Sequence, residues 1–169
     1  MRRKMWLGLA LLIVAVGGWA AFRPERLWLN QTVSESFPVG GATETATAAA
    51  DASPMLLSSG SFHDGAHPTS GAATLYQLRD GKRVLRLTNF ATSNGPDVQL
   101  YLVKATDAID NDMVKQAGFV NLGALKGNVG DQNYDVPSDI DLSAYRAVTV
   151  WCRRFGVNFG TAPLAPVHS

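Results

Sequence analysis

Hydrophobic positions in the C-terminal two thirds of the chain recur in short runs broken by Gly, Asp, Asn and Pro, the punctuation of a sheet protein. Alternation with period two is clearest before the only cysteine. Val148, Val150 and Cys152 fall on one face, and Thr149, Trp151 and Arg153 on the other. Gly156 then lets the chain bend into a second short strand over 157–159, ending at Gly160. Residues 98–104 are apolar on both faces, as a central strand of a sandwich must be.

Further strands are expected over 56–62, 72–78, 83–90, 119–125 and 132–136. Asp80-Gly81 between the second and third is a hairpin signal, and Asn94-Gly95-Pro96-Asp97 makes a turn. Residues 106–118 suit a short helix or an irregular excursion, and 139–145 a turn. About seven or eight short strands over 55–165 predict an all-β domain, an antiparallel sandwich or a barrel-like sheet.

The N-terminal pattern is of another kind. Residues 5–22 form a run without a charge, preceded by Arg2, Arg3 and Lys4, with Trp6 and Trp19 near its two ends. At about 1.5 Å per residue the run is just long enough to span a bilayer, and it reads as an anchor over 1–26. A signal peptide cleaved at Gly18-Trp19-Ala20 is the alternative. Both readings export the remainder, with the N-terminus inside and the domain in the periplasm or outside the cell. Residues 27–38 mix apolar and polar positions and suit either the membrane surface or an edge strand. Residues 39–54, rich in Ala, Thr and Gly, cannot bury enough surface to offset their ordering entropy and read as a flexible linker. Residues 166–169 form a tail.

Charge narrows the function classes. The chain of 169 residues has a net charge of +1, but the basic excess lies in the first 26 residues. The domain is close to neutral, which argues against nucleic acid as a partner, since phosphate binding needs clustered cations. One cysteine rules out an internal disulfide. Neither G-x-S-x-G nor H-E-x-x-H appears, and a turnover enzyme has little support.

The candidate chemistry is sparse. Cys152 is either a redox thiol or metal ligand, with Arg154 two residues on along the same strand face lowering its pKa, or a small buried hydrophobe beside Val148 and Val150. His67, in a loop with Pro68, Thr69 and Ser70, is either a second ligand or a loop histidine bonded to a backbone carbonyl. The aspartates at 107, 110, 112, 139 and 141 lack EF-hand spacing and read as solvated loop charges. The glycines at 123, 127 and 130 lack the Gly-Lys-Ser/Thr ending of a phosphate loop.

Several short blocks together resemble one family. Gly60-x-Phe62, His67-x-x-x-Gly71, Asn89-Phe90, Gly95-Pro96-Asp97 and Trp151-Cys152-x-x-Phe155-x-Val157-x-Phe159-Gly160 are similar to the electron-transfer DM-thirteen domain over about residues 58–165. The resemblance implies an exported all-β module with a redox role centred on Cys152. The cysteine would act as a bare thiol or as ligand to a prosthetic group such as haem, with His67 and Trp151 as neighbours. It also implies a redox or envelope protein partner. The expected function is a membrane-tethered electron-transfer module. A non-catalytic envelope-binding domain, with the Trp-Cys strand only structural, is the alternative.

Overall fold

The computed structural model describes residues 6, 8, 11–14, 16–19, 29–38 and 54–167. Over them the strands are β1 (Thr32–Ser34), β2 (Met55–Ser61), β3 (His63–Asp64), β4 (Ser70–Gln77), β5 (Arg83–Ala91), β6 (Val98–Val103), β7 (Phe119–Ala124), β8 (Val129–Val136), β9 (Ala147–Cys152), β10 (Val157–Pro163) and β11 (Ala165–Pro166). Helix α1 (Asn111–Ala117) lies between β6 and β7, and a 3-10 turn (Leu142–Ala144) precedes β9.

The strands form two sheets, in the orders β1-β8-β5-β4-β2-β11 and β3-β10-β9-β6-β7, and neither closes on itself. The molecule is therefore a sandwich and not a barrel. The eleven strands among the described residues exceed the expected seven or eight because β1, β3 and β11 have only two or three residues each. Elements that short carry no readable period. All pairs are antiparallel except β1 with β8, which is parallel.

The core follows from the register. β6 and β9 are buried at every position, as the doubly apolar pattern requires. Their inward set, Val98, Leu100, Leu102, Val148, Val150 and Cys152, meets Leu75, Leu85, Leu87 and Phe90 of the facing sheet. Leu85, Leu87, Leu100 and Leu102 are wholly enclosed, each contributing about 1.5–3 kcal/mol through burial. The outward set, Tyr101, Val103, Ala147 and Trp151, is covered by Ala108 and by Val114 of α1. α1 starts where Asp110 accepts a hydrogen bond from the Met113 amide at 2.8 Å, the N-cap arrangement.

β1 settles the role of residues 29–38. Within it Thr32, Val33 and Ser34 form an edge strand opposite Val129, Gly130 and Asp131. Arg86 donates to the Glu35 carbonyl, the Asn133 side chain and Asp131, and Lys126 pairs with Glu35 at 2.8 Å. Of the Ala/Thr-rich linker expected at 39–54, residues 39–53 lie outside the described residues; β1 before it and β2 after it belong to one sheet.

Among the described residues no helix is long and apolar enough to cross a membrane. Of the expected anchor, only positions 6, 8, 11–14 and 16–19 are described, all helical, and the rest lies outside the described residues.

Candidate functional site

The last residues of β5 and β9 and the first residues of β6 and β10 lie at one end of the sandwich, and three turns meet there. The first, 92–97, leaves β5 and enters β6. The second, 153–156, joins β9 to β10. The third, 65–69, runs from β3 to β4. His67, Asn94, Gly95, Pro96, Phe155, Val157 and Phe159 line a cleft of about 330 Å³ between them. Its walls are mostly apolar, with one imidazole and one amide as polar groups, the composition of a small-molecule or side-chain pocket.

Two sets of bonds fix its shape. Asp97 accepts from the Arg153 guanidinium at 2.8 Å, and its carbonyl accepts from the Arg153 amide at 2.9 Å. The Arg153 contact holds the Asp97 carboxyl below its usual range, helped by Gln99, while partial burial opposes. This clamp sets Pro96 beside Phe155. On the other side the buried Thr69 hydroxyl reaches the His67 carbonyl, the Phe159 carbonyl and the Thr92 hydroxyl, at 3.2, 3.0 and 2.9 Å. Thr69 thereby holds the His67 ring on Phe159, with centroids 3.9 Å apart. Neither Thr69 nor the Asp97 clamp was singled out by sequence reading. The Gly-Pro-Asp block signals a turn, but only the fold shows which arginine it grips.

Cys152 is wholly buried within the main core. Its cross-strand neighbours are Val98 on β6 and Val157 on β10, and directly opposite residues share a face of the sheet. Val157 and Phe159 line the cleft, so the thiol lies one side chain behind the cleft wall.

The expectation that Arg154 shares a strand face with Cys152 is corrected by the structure. β9 ends at Cys152, and Arg154 stands exposed in the following turn. Gly156, with φ 64°, turns the chain within four residues, so the alternation does not continue past the cysteine. Trp151 points to the opposite face, stacked with Tyr101 at 6.2 Å, and Tyr101 stacks on Phe119 at 4.1 Å. The second strand of the hairpin is longer than expected, running through Gly160 to Pro163.

A prosthetic metal held jointly by Cys152 and His67 does not fit these residues. The sulfur is wholly buried in the main core between Val98 and Val157, and the imidazole packs on the ring of Phe159, itself part of the core. Among the described residues no group of three or more His, Cys, Asp or Glu is placed to hold a metal ion. His63, the other described imidazole, pairs instead with Asp107 at 2.8 Å, and His168 lies outside the described residues. Three of the remaining loop carboxylates are occupied locally. Asp110 and Asp141 cap helical turns, and Asp112 pairs with Lys115.

No curated protein and no solved structure matches this chain. Compared with known families, residues 61–164 match the one described as Electron transfer DM13. The match takes in every cleft residue and Cys152, and it spans well over half of the chain: the protein belongs to the Electron transfer DM13 family.

Proposed function

We propose that the chain is an extracytoplasmic module, held to the membrane by residues 5–22 with its N-terminus inside. In this reading it serves electron transfer by binding, taking an apolar ring of a redox partner or carrier into the His67–Phe155–Phe159 cleft. One observation carries the reading. His67, Gly95, Pro96, Phe155, Val157 and Phe159 come from blocks far apart in sequence, and they converge on a single cleft. A core residue needs no such convergence at a surface.

Cys152 acts here as packing for the cleft wall. A thiol without exposure exchanges with an external thiol only after local opening, which argues against a bare redox cysteine. A second reading has the same cleft take a redox-inert envelope component, with the Trp-Cys strand only structural. The buried sulfur favours it equally.

The test is titration of the full chain with menadione, a small naphthoquinone, followed by NMR. Saturable shifts at His67, Phe155 and Phe159, absent in Phe155→Ser, are expected of the redox-carrier reading. A chain that ignores menadione, yet retains an envelope component displaced by Phe155→Ser, favours the second reading. A Soret band in the purified chain that vanishes in Cys152→Ala overturns both.

A further inference from the structure

The place where the chain enters the domain determines which end of the sandwich faces the bilayer. Leu29 and Asn30 precede β1, and β1 runs parallel to β8 from Val129 toward Val136. Val129 pairs with Ala91 at the cleft end, and Val136 with Arg83 at the far end beside the Asp80-Gly81 hairpin. The chain therefore arrives at the cleft end. It is fastened there: Asn94, a cleft residue, donates through Nδ2 to the Leu29 carbonyl at 3.0 Å, and Asn128 accepts from the Gln31 amide at 2.7 Å.

Phe22, the last residue of the apolar run, is seven residues before Leu29. Even fully extended, that stretch reaches at most about 25 Å. The Asp80 hairpin lies a further nine-residue β5 away, about 30 Å on. The cleft end is thus the end held near the lipid.

The same end carries residues suited to an interface. Phe155 is 68% exposed at the tip of the 153–156 turn, and Leu29 is 64% exposed nearby. Arg153 and Arg154 immediately precede Phe155, and the Lys115 side chain lies next to the following Gly156. The acidic groups facing them are Asp97, paired with Arg153, and Asp112, paired with Lys115. Aromatic rings seat at the headgroup boundary, and basic residues next to such a ring attract anionic lipid.

We propose that the Arg153–Gly156 turn, with Leu29 beside it, docks on the anionic bilayer surface from which the chain emerges, turning the mouth of the cleft toward lipid. The proposal rests on the membrane-tethered reading above. Tethering makes the docking intramolecular, so a modest attraction suffices. The consequence for the cleft is its substrate class: a ring carried in the membrane phase reaches it without crossing water.

The test uses the full chain in nanodiscs of phosphatidylcholine with and without phosphatidylglycerol, carrying an acyl-chain spin label. Paramagnetic broadening several-fold stronger at residues 153–156 and Leu29 than at Asp80–Lys82 is expected with phosphatidylglycerol. It falls in the R154E/F155S double variant while amide shifts elsewhere in the domain are retained. Uniform broadening, broadening strongest at Asp80–Lys82, or a concentration-dependent dimer that buries Phe155 without broadening overturns the proposal. If mass analysis shows the chain cleaved near Ala20, the tether reading fails separately. The released chain then tests docking by co-sedimentation with phosphatidylglycerol vesicles, and failure to sediment overturns it.

Discussion

Val157 stands directly opposite Cys152 across the β9–β10 hairpin, and this pairing sets what the thiol does. Cys152 faces the sandwich interior, while Val157 shares that face and closes it against the cleft. In the native chain, labelling by a maleimide is expected to be slow and to become fast in denaturant. Cys152→Ser places an unpaired hydroxyl in an aliphatic site and is expected to cost about 1–3 kcal/mol in urea unfolding. Cys152→Ala loses only packing and should cost less. Rapid native labelling contradicts the buried role.

His63 joins β3 to the 104–110 loop with both ring nitrogens facing oxygens. Nδ1 meets the Asp64 carbonyl at 3.0 Å and Nε2 meets Asp107 at 2.8 Å. Two acceptors favour the doubly protonated ring. The Asp107 hydrogen bond, opposed by partial burial and aided by Asp64, raises the His63 pKa above its ordinary 6.5. A folded-state pKa above the unfolded one stabilises the fold fully below the unfolded pKa, and the gain is lost as pH rises through the folded pKa. Both side chains are 38% exposed, so solvent screening keeps the effect below about 1 kcal/mol. Thermal midpoints are expected to fall slightly from pH 6 to 8, and the slope should flatten in His63→Gln.

Gly71 tests the bulge that places the 65–69 loop. Its φ of 104° belongs to glycine, and a Cβ there would sit 2.7 Å from the Phe90 Cα. The β4–β5 register shifts between Ser70 and Ala72, opposite Asn89, whose φ of 49° re-aims Phe90 into the core. Gly71→Ala combines a strained backbone with overpacking and is expected to cost about 2–4 kcal/mol in urea unfolding. A near-neutral result removes the close approach from the account.

Much of this domain is legible in the sequence, for physical reasons. β6 and β9 are apolar at five of six positions and β5 carries Leu85 and Leu87 in period two, so these strands are readable. For β1 the sequence leaves an edge strand and the membrane surface both open, because three residues carry no period; the deciding evidence lies in the partner strand. Gly127 and Gly130 carry no phosphate-loop signature in the sequence, and the structure shows them making room for the backbone of Gln31 and Val33. The cleft residues were each visible in separate blocks, but their meeting depends on which turns share an end of the sandwich. Periodicity also failed just past Cys152, where Gly156 ends the strand logic that had linked Arg154 to the thiol.

Asp97 offers a way to loosen the cleft without touching its lining. Its carboxyl titrates lower than an ordinary aspartate because Arg153 holds it. A depressed folded pKa stabilises the fold above the unfolded pKa, 3.8, and that contribution fades as pH falls through the folded value. Asp97→Ala frees the 153–156 turn, and sharper, averaged NMR signals are expected at Phe155 with the core unchanged. The same averaging should appear in wild type only as the pH is taken below 3.8 and through the lowered folded pKa. Unaltered Phe155 signals in the variant contradict the clamp.

Gly127 provides the most selective test of β1. Its backbone needs no positive φ, so alanine is locally tolerated, yet a Cβ there would collide with the Gln31 carbonyl. β1 has three residues and depends on the Glu35 amide bonding the Asp131 carbonyl at 3.0 Å, and on Glu35 gripping Lys126 and the Asn133 amide. The remaining sheet runs through β8, β5, β4, β2 and β11 without it. In Gly127→Ala, hydrogen exchange in 29–38 is expected to rise by about tenfold or more, an opening cheaper by at least about 1.4 kcal/mol. Exchange in 83–91 should hardly change, because those amides open only with the core. Glu35→Ala, which removes the grip and leaves the glycine, should give the same pattern more weakly. Equal acceleration in both segments means that β1 is integral to the sandwich and not a strand laid on its edge.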